Sequence, residues 1–280
     1  MGALVLEGGT FRPIFSCGVM DALLDNDIYF PYVIGVSAGI TDGVSYVSKQ
    51  KKRNLEVLKE FRHDKRYVGF RNFFTDKSLF GLKFAYETVP EELYPFDWDT
   101  YLSNPAEVKV GVTNAETGKS EYLDGKKMDR KCTMLKATCA IPMLFPAIEI
   151  NGNRYYDGGV CDPIPVRQAE ADGHDKMLIV LTRPISYRKK LSRNNVVAAK
   201  AMKRKYPNLV EPLMTRHELY NKELEYCNRL EKEGRAVILR PTEEVQIESF
   251  EKDLEKIDRI YQFGYELAEE NLDRIKALFD

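Results

Sequence analysis

Ser37 lies at the centre of a pentapeptide whose spacing is typical of an acyl-transfer nucleophile. Residues Gly35-Val36-Ser37-Ala38-Gly39 match the pattern GxSxG, and an apolar run that predicts a strand ends at Val36. The flanking glycines allow a tight turn that lifts the serine above a sheet, and the predicted helix that follows favours negative charge at its N-terminus. A serine that caps a helix between two packing glycines would have the same pattern. The pentapeptide alone therefore leaves both interpretations open.

A second group of small residues, the segment EGGTFR (7–12), precedes the pentapeptide and is suited to binding an anion. It begins where the first predicted strand ends, so the backbone N–H groups of Gly8, Gly9 and Thr10 can point towards one position. An acyl-transfer site needs such donors to hold its oxyanion. Phosphate binding is the rival use, but the segment matches neither GxGxxG nor GxxxxGK[ST], so the sequence does not support a nucleotide site.

The third candidate is Asp157, which begins the segment Asp157-Gly158-Gly159 after a predicted hairpin. Asp-Gly pairs are common in turns, and the dipeptide occurs elsewhere in this chain. The second glycine and the stiff turn DPIP (162–165) behind it distinguish this copy. Together they predict a carboxylate held at the end of a strand.

The three histidines bear on whether Ser37 belongs to a triad or a dyad. In an α/β-hydrolase, His174 or His217 would have to complete the triad after Asp157. His174 comes just before a predicted strand, at the amino end of the sheet, whereas Ser37 lies at the carboxyl end. His63 and His217 lie in charged helical segments typical of a surface. These positions favour a dyad, in which a buried aspartate takes the serine proton.

Taken together, the three motifs resemble the patatin-like phospholipase family. In that family a glycine-rich oxyanion loop, a GxSxG serine and an aspartate in a DG[GA] motif occur in this order. This chain has EGGTFR, GVSAG and DGG at the matching places. The segment AIPMLFP (140–146) is also similar to the bacterial members. The resemblance covers about residues 1–185, and the rest of the chain matches only in general α/β character.

The resemblance implies a lipid acyl hydrolase with Ser37 as nucleophile and Asp157 as general base. It implies hydrolysis of fatty acyl esters in phospholipids or other lipids, without a metal or another cofactor. The residues implied beside the dyad are the oxyanion donors Gly8, Gly9 and Thr10 and the motif glycines Gly35, Gly39, Gly158 and Gly159.

One departure from the family pattern concerns the oxyanion loop, which in the family reads GGGxRG. Here Thr10 stands at the third glycine, where its Cβ restricts positive φ, and Pro13 has no N–H. We therefore expect a narrower or rearranged oxyanion hole. Two alternatives stay open: an acyltransferase of related architecture, and a lipid-binding pseudoenzyme whose oxyanion hole is closed.

The elements that must position these residues alternate between strand and helix. The predicted strands are ALVLE (3–7), YVIGV (32–36), EVKVGVTN (107–114), KSEYL (119–123), AIEI (147–150), RYYD (154–157), KMLIVLTR (176–183) and AVILRP (236–241). A helix is predicted through Met128 to Ala140, and a final helix carries an apolar stripe from Phe250 to Leu278. The pattern predicts an α/β fold, a three-layer α/β/α sandwich around a mostly parallel central sheet.

We expect a single domain over residues 1–280, with the catalytic motifs within 1–185 and the C-terminal helices covering the sheet. Residues 66–100 are irregular and rich in aromatic side chains, which predicts either a lipid-facing cap or a small separate core. The helical segments between the last two strands carry charges of both signs, which is typical of a solvated face.

Composition excludes several classes of function. Lys and Arg number 42 against 43 Asp and Glu, so the net charge of −1 gives no overall field that would attract nucleic acid. Contact with a membrane surface must therefore be local and transient.

The start of the chain lacks the features of a signal peptide, and no apolar run has the length of a membrane span, which predicts a cytoplasmic protein. The five cysteines form no CxxC pair and predict reduced thiols without a metal site. Nothing in the sequence sets an oligomeric state.

Overall fold

The structure is a computed structural model that describes residues 2–279 and contains one mixed sheet of eight strands. The strands are β1 (Ala3–Leu6), β2 (Tyr32–Val36), β3 (Glu107–Asn114), β4 (Ser120–Asp124), β5 (Ile148–Ile150), β6 (Asn153–Asp157), β7 (Met177–Val180) and β8 (Ala236–Leu239). Hydrogen bonds link them in the order β5-β6-β3-β2-β1-β7-β8, in which β6 and β2 pair with successive parts of the same edge of β3 and β4 pairs with its other edge. The strands from β3 to β8 in this order are parallel, whereas β4, β5 and β6 pair antiparallel.

Helices flank this sheet. They are α1 (Ile14–Asp25), α2 (Ser37–Val47), α3 (Arg53–Phe61), α4 (Asn72–Thr75), α5 (Trp98–Ser103), α6 (Thr133–Thr138), α7 (Val166–Ala171), α8 (Arg193–Met202), α9 (Val210–Lys232), α10 (Leu254–Glu270) and α11 (Leu272–Lys276). A π-helical segment spans Phe84–Leu93, and a short 3₁₀ segment spans Gly158–Val160. Within residues 2–279, no helix is both long enough and apolar enough to span a bilayer.

Side chains of the central strands alternate between two cores, one on each face of the sheet. In β1, Leu4 and Leu6 belong to the core formed with α1, α2 and α10. Ala3 and Val5 belong to the core formed with α7 and α9. The strands are buried on both faces because helices cover both faces. This arrangement confirms the predicted three-layer α/β fold.

Two predicted helices differ from those observed. The helix expected from Met128 to Ala140 is reduced to α6, because Cys132 before it has a φ of 51° and the chain after it turns towards the sheet. There the carbonyl of Ala140 accepts a hydrogen bond from the backbone N–H of Asp157. The final helix is broken at Asn271 into α10 and α11, although its apolar stripe continues to Leu278.

Residues 66–100 form the aromatic segment, whose aromatic side chains lie in two places in the structure. Tyr67, Phe80 and Tyr86 line a cavity beside Ser37. Phe61, Phe84 and Tyr94 pack against one another as a small separate core together with Val57 and Val89.

We propose that the chain folds as one domain, because its C-terminal elements complete the structure of the N-terminal ones. β8 pairs with β7 and so belongs to the same sheet, and α10 packs closely against α1. A Cβ placed at Gly264 would overlap the carbonyl oxygen of Phe15, and one placed at Gly18 would overlap that of Tyr261. The two helices can approach this closely only with glycine at both positions.

Gly264→Ala is therefore expected to lower the free energy of unfolding of the whole chain by about 1–3 kcal/mol, since the added methyl forces α10 away from α1. Urea unfolding followed by circular dichroism measures this as a shift of one cooperative transition. Gln262→Ala, at an exposed position on the same helix, is the control and should change stability by about 0.5 kcal/mol or less. Two separate transitions, with only one shifted by Gly264→Ala, would contradict the single domain.

Candidate active site

Ser37 and Asp157 form a hydrogen-bonded pair in the interior. The Ser37 hydroxyl donates to Asp157 Oδ2 over 2.8 Å, and each residue is only 7% exposed. The two residues are separated by 120 positions in the chain. A buried serine whose hydroxyl donates to a carboxylate is poised to lose its proton to that carboxylate.

The pairing of β3 explains why these distant residues meet. β2 pairs with the first part of β3, from Glu107 to Gly111, and β6 pairs with its last three residues, starting at Val112 opposite Asp157. β4 occupies one edge of β3 as far as Thr113. Because a strand has only two edges, β6 lies on the same edge as β2 and directly beyond its end. The end of β6 therefore places Asp157 beside the residue that follows β2, which is Ser37.

The turn at Ser37 is sharp and supported by neighbouring backbone. Ser37 has a φ of 54°, the strained conformation expected of a nucleophile elbow. Its backbone N–H donates to Thr138 Oγ1 over 2.8 Å, and the Thr138 hydroxyl donates to the carbonyl of Gly111 over 2.6 Å. A Cβ at Gly39 would overlap the carbonyl of Glu7, which explains why the helix after the serine needs glycine there.

Asp157 is oriented by its own motif. Asp157 Oδ1 accepts a hydrogen bond from the N–H of Gly159 over 2.8 Å, and this leaves Oδ2 for Ser37. A Cβ at Gly158 would overlap the carbonyl of Gly111, so the turn packs against β3 without room for a side chain. Burial raises the pKa of Asp157, opposed by the Ser37 hydrogen bond, the positive charge of Arg216 and the Gly159 N–H. A raised pKa makes the carboxylate a better proton acceptor.

The loop after β1 lies directly against the serine. A Cβ at Gly8 would come within 2.8 Å of Ser37 Cβ, so only glycine lets the loop backbone approach so closely. Thr10 has a φ of 60°, a conformation that its Cβ disfavours but that the loop imposes. Among the described residues, the N–H groups of Gly8, Gly9 and Thr10 donate no hydrogen bond to the protein. Unsatisfied donors beside a nucleophile are available to an oxyanion.

Two cavities open on Ser37. The first is about 140 Å³, and its lining is mostly apolar, including Phe11, Ile14 and Tyr86. The second is about 440 Å³ and contains both Ser37 and Asp157 in its wall. An ester whose carbonyl carbon sits at Ser37 can therefore place one half in an apolar space and the other half in a polar one.

Three residues at this site were not identified from the sequence. Thr138 holds the elbow, and Cys139 lies in the apolar cavity within reach of Thr41 Oγ1 at 3.4 Å. Both directly precede the AIPMLFP segment, whose resemblance to the family was the available signal. Arg216 donates to the carbonyl of Gly159 from the middle of α9, where the mixed charges suggested only a solvated face. For Arg216 that prediction is wrong.

The three histidines lie outside both cavities. The ring of His174 packs on Tyr32, the first residue of β2, with ring centroids 4.1 Å apart. This places His174 at the amino end of the sheet, as predicted, and Ser37 at the other end. His63 is exposed, and His217 Nε2 lies 3.9 Å from Glu218. Among the described residues, no group of three or more His, Cys, Asp or Glu is placed to hold a metal ion.

Comparison with known proteins gives matches to family models, to a curated protein and to solved structures. Residues 4–170 match the family described as patatin-like phospholipase, and residues 206–280 match a domain of unknown function, DUF6363. The uncharacterized protein YjjU of Escherichia coli K12 is 24% identical over 196 residues, which are 65% of this chain and 52% of YjjU. The chain thus spans about half the length of that relative. VipD from Legionella pneumophila aligns with 97% of this chain and 66% of its own, at a TM-score of 0.48 and 15% identity.

Proposed function

Because the chain belongs to the patatin-like phospholipase family, we propose that it is a serine hydrolase that cleaves fatty acyl esters of phospholipids or other lipids. The observation that carries the proposal is the hydrogen bond of 2.8 Å from the Ser37 hydroxyl to the buried Asp157 carboxylate. Ser37 is the proposed nucleophile and Asp157 the proposed general base.

In the first half-reaction Ser37 Oγ attacks the ester carbonyl carbon while its proton passes to Asp157. The carbonyl oxygen becomes an oxyanion, for which the N–H groups of Gly8, Gly9 and Thr10 are the proposed donors. The tetrahedral intermediate then expels the alcohol, which takes the proton from Asp157. An acyl group remains on Ser37 as an ester.

In the second half-reaction water replaces the alcohol. The water oxygen attacks the acyl carbon while Asp157 takes a proton from that water. A second tetrahedral intermediate forms, and its oxyanion accepts hydrogen bonds from the same N–H groups. Its collapse breaks the bond to Ser37 Oγ, which recovers the proton from Asp157. A fatty acid is released, and no metal enters either step.

The apolar cavity is the proposed site for the acyl chain. At about 140 Å³ it has room for about six carbon atoms, since a cavity of similar size accommodates benzene. Short esters such as p-nitrophenyl butyrate are therefore suitable substrates for assays.

A fluorophosphonate probe tests the proposed function directly, because it reacts readily only with an activated serine beside working oxyanion donors. We expect covalent labelling that peptide mass spectrometry assigns to Ser37. Absence of labelling in folded protein would instead favour a lipid-binding pseudoenzyme. Preferential transfer of the acyl group to glycerol or a lysolipid, in competition with water, would identify an acyltransferase.

We propose that residues 70–77 of the aromatic segment contact a lipid surface. Phe70 and Phe74 are 81% and 92% exposed, and the basic side chains of Arg71 and Lys77 beside them are also exposed. Exposed rings flanked by cations suit an anionic bilayer surface. The same segment continues into Phe80, which lines the apolar cavity, so docking here would bring lipid next to the site.

Phe70→Ser combined with Phe74→Ser is expected to weaken binding to vesicles of phosphatidylcholine and phosphatidylglycerol by about a thousandfold, because the two lost rings together remove about 4 kcal/mol of apolar burial. Co-sedimentation measures the bound fraction. Leu102→Ser removes a side chain that is 52% exposed on α5, outside residues 66–100, and serves as the control. Equal binding of the double variant and the wild type would refute the docking surface.

A further inference from the structure

The apolar cavity contains polar groups that the proposed reaction does not use. They are the carboxyl group of Asp42 and the hydroxyls of Tyr67 and Tyr86, and all three residues line the cavity. The larger cavity is lined by charged side chains such as Arg216 and Lys189, so polar groups are ordinary there. Among hydrocarbon walls, by contrast, a polar group without a hydrogen-bond partner is costly. We call the three groups the polar end of the apolar cavity.

The two tyrosine hydroxyls have no oxygen or nitrogen partner in the protein. Among residues 2–279, no N–H, O–H or C=O group hydrogen-bonds to the hydroxyl of Tyr67 or Tyr86, and neither hydroxyl is enclosed by packed atoms. Burial raises the pKa of both hydroxyls. The polar neighbour of the Tyr86 hydroxyl is the Cys139 thiol, which is only a weak hydrogen-bond partner. Both hydroxyls therefore lie deep in the protein and open on the cavity.

Asp42 lies further along α2 from Ser37. It follows the serine by five residues, which corresponds to about 7.5 Å along the helix axis. Asp42 is only 9% exposed, and among residues 2–279 no N–H or O–H group donates to its carboxyl oxygens. The nearby thiol of Cys17 is a weak donor. Burial raises the pKa of Asp42 to about 7, so its neutral and ionised forms are both present near neutral pH.

The cation nearest to these groups, Arg53, is already held by the protein. Its guanidinium donates to the carbonyl of Tyr94 over 2.7 Å and to Asn54 Oδ1 over 3.4 Å. Its Nε is enclosed by packed atoms, out of reach of a ligand. A carboxylate on the ligand would meet the carboxyl group of Asp42. A hydroxyl can instead donate to the ionised form of Asp42 and accept from the neutral form.

A hydroxyl group on the ligand suits the polar end because it both donates and accepts hydrogen bonds. An unsubstituted hydrocarbon chain would displace any water from the three polar groups and replace none of its hydrogen bonds, which costs affinity. Because Asp42 is more than one helical turn from Ser37, the hydroxyl belongs at the remote end of a short chain and not beside the ester.

We propose that the apolar cavity binds an acyl chain with a hydroxyl group about six carbons from the ester, and that Asp42, Tyr67 and Tyr86 are the hydrogen-bond partners of this hydroxyl. This rests on the proposed function, which places the acyl group in the same cavity. The methylene groups of the chain contact the apolar walls, and the hydroxyl satisfies the polar end. Hydroxyacyl esters are therefore preferred over unsubstituted esters of the same length.

The test compares kcat/KM for ethyl ω-hydroxyhexanoate and ethyl hexanoate, which share the leaving alcohol and the chain length. We expect the wild type to prefer the hydroxylated ester by about tenfold or more, because the other ester leaves buried polar groups unpaired. Tyr67→Phe and Tyr86→Phe should each lower this ratio about threefold to tenfold, the effect of one hydrogen bond. A wild-type ratio near one, or a ratio unchanged in both variants, would overturn the proposal.

The matched control is Tyr94→Phe, which removes a hydroxyl from the same aromatic segment outside the cavity lining and should keep the ratio. Urea unfolding separates binding from a structural role. Tyr67→Phe and Tyr86→Phe should be at least as stable as the wild type, since each removes a buried hydroxyl that has no oxygen or nitrogen partner in the protein. A loss of stability that accompanies the lowered ratio in both variants would mean that the hydroxyls support the fold, which contradicts the proposal.

Two further arms separate the possible failures. Ethyl hydrogen adipate carries a carboxylate at the end of a chain of the same length. Faster turnover of this ester than of the hydroxylated one would identify a site for an anion and overturn the proposal. If no ester is hydrolysed, the proposed hydrolase function fails, and calorimetry then tests the polar end alone. Free ω-hydroxyhexanoate should bind more tightly than hexanoate, and the difference should shrink in Tyr67→Phe. Equal binding of the two acids would refute the polar end as a hydroxyl site.

Discussion

Ser37→Ala is expected to reduce kcat/KM for p-nitrophenyl butyrate by about 10⁴-fold or more, because the variant has no nucleophile to form the acyl-enzyme. The fold should persist. The Ser37 hydroxyl donates to Asp157, and without it the carboxylate keeps the Gly159 N–H as a partner. We therefore expect the free energy of unfolding to change by no more than about 1–3 kcal/mol.

The matched control is Ser16→Ala, which removes a fully buried hydroxyl in α1 that has no hydrogen-bond partner among the described residues. It should keep wild-type turnover. Rates measured on purified proteins, with urea unfolding of each, distinguish loss of chemistry from loss of fold. Turnover retained in folded Ser37→Ala would show that another residue attacks the ester.

Asp157→Asn is expected to lower kcat/KM nearly as far as Ser37→Ala, because in a dyad the carboxylate is the proton acceptor itself. Asparagine has the same shape and can still accept from the Gly159 N–H, so the turn should be preserved. In a triad the aspartate would only orient a histidine, and a histidine variant would then be equally damaging.

The decisive comparison for Asp157→Asn is with His63→Ala, His174→Ala and His217→Ala. Each should retain most of the activity, since none of these side chains lines either cavity at Ser37. If one of them loses about three orders of magnitude in rate while its circular dichroism spectrum is unchanged, the triad is correct and the dyad is wrong.

The sequence was sufficient to predict the local features of the site. The turn at Ser37 depends on Gly35 and Gly39 and on a strand and helix directly joined in the chain, and all of these are visible within a few residues. The eight strands were predicted for the same reason, since each is a short apolar or alternating run bounded by turn residues. The alternation of strand and helix then indicated a covered, mostly parallel sheet, which the structure has.

Only the tertiary structure could bring Asp157 to Ser37, because their contact depends on which edge of β3 receives β6. Pairing partners of a strand are set by the whole sheet, and no local pattern encodes them. The same applies to Arg216 and Lys189. In the sequence they are two among many charges in segments that suggest a solvated face. Their approach to the cavity depends on how α9 and the chain after β7 pack over the end of the sheet, which only long-range burial determines.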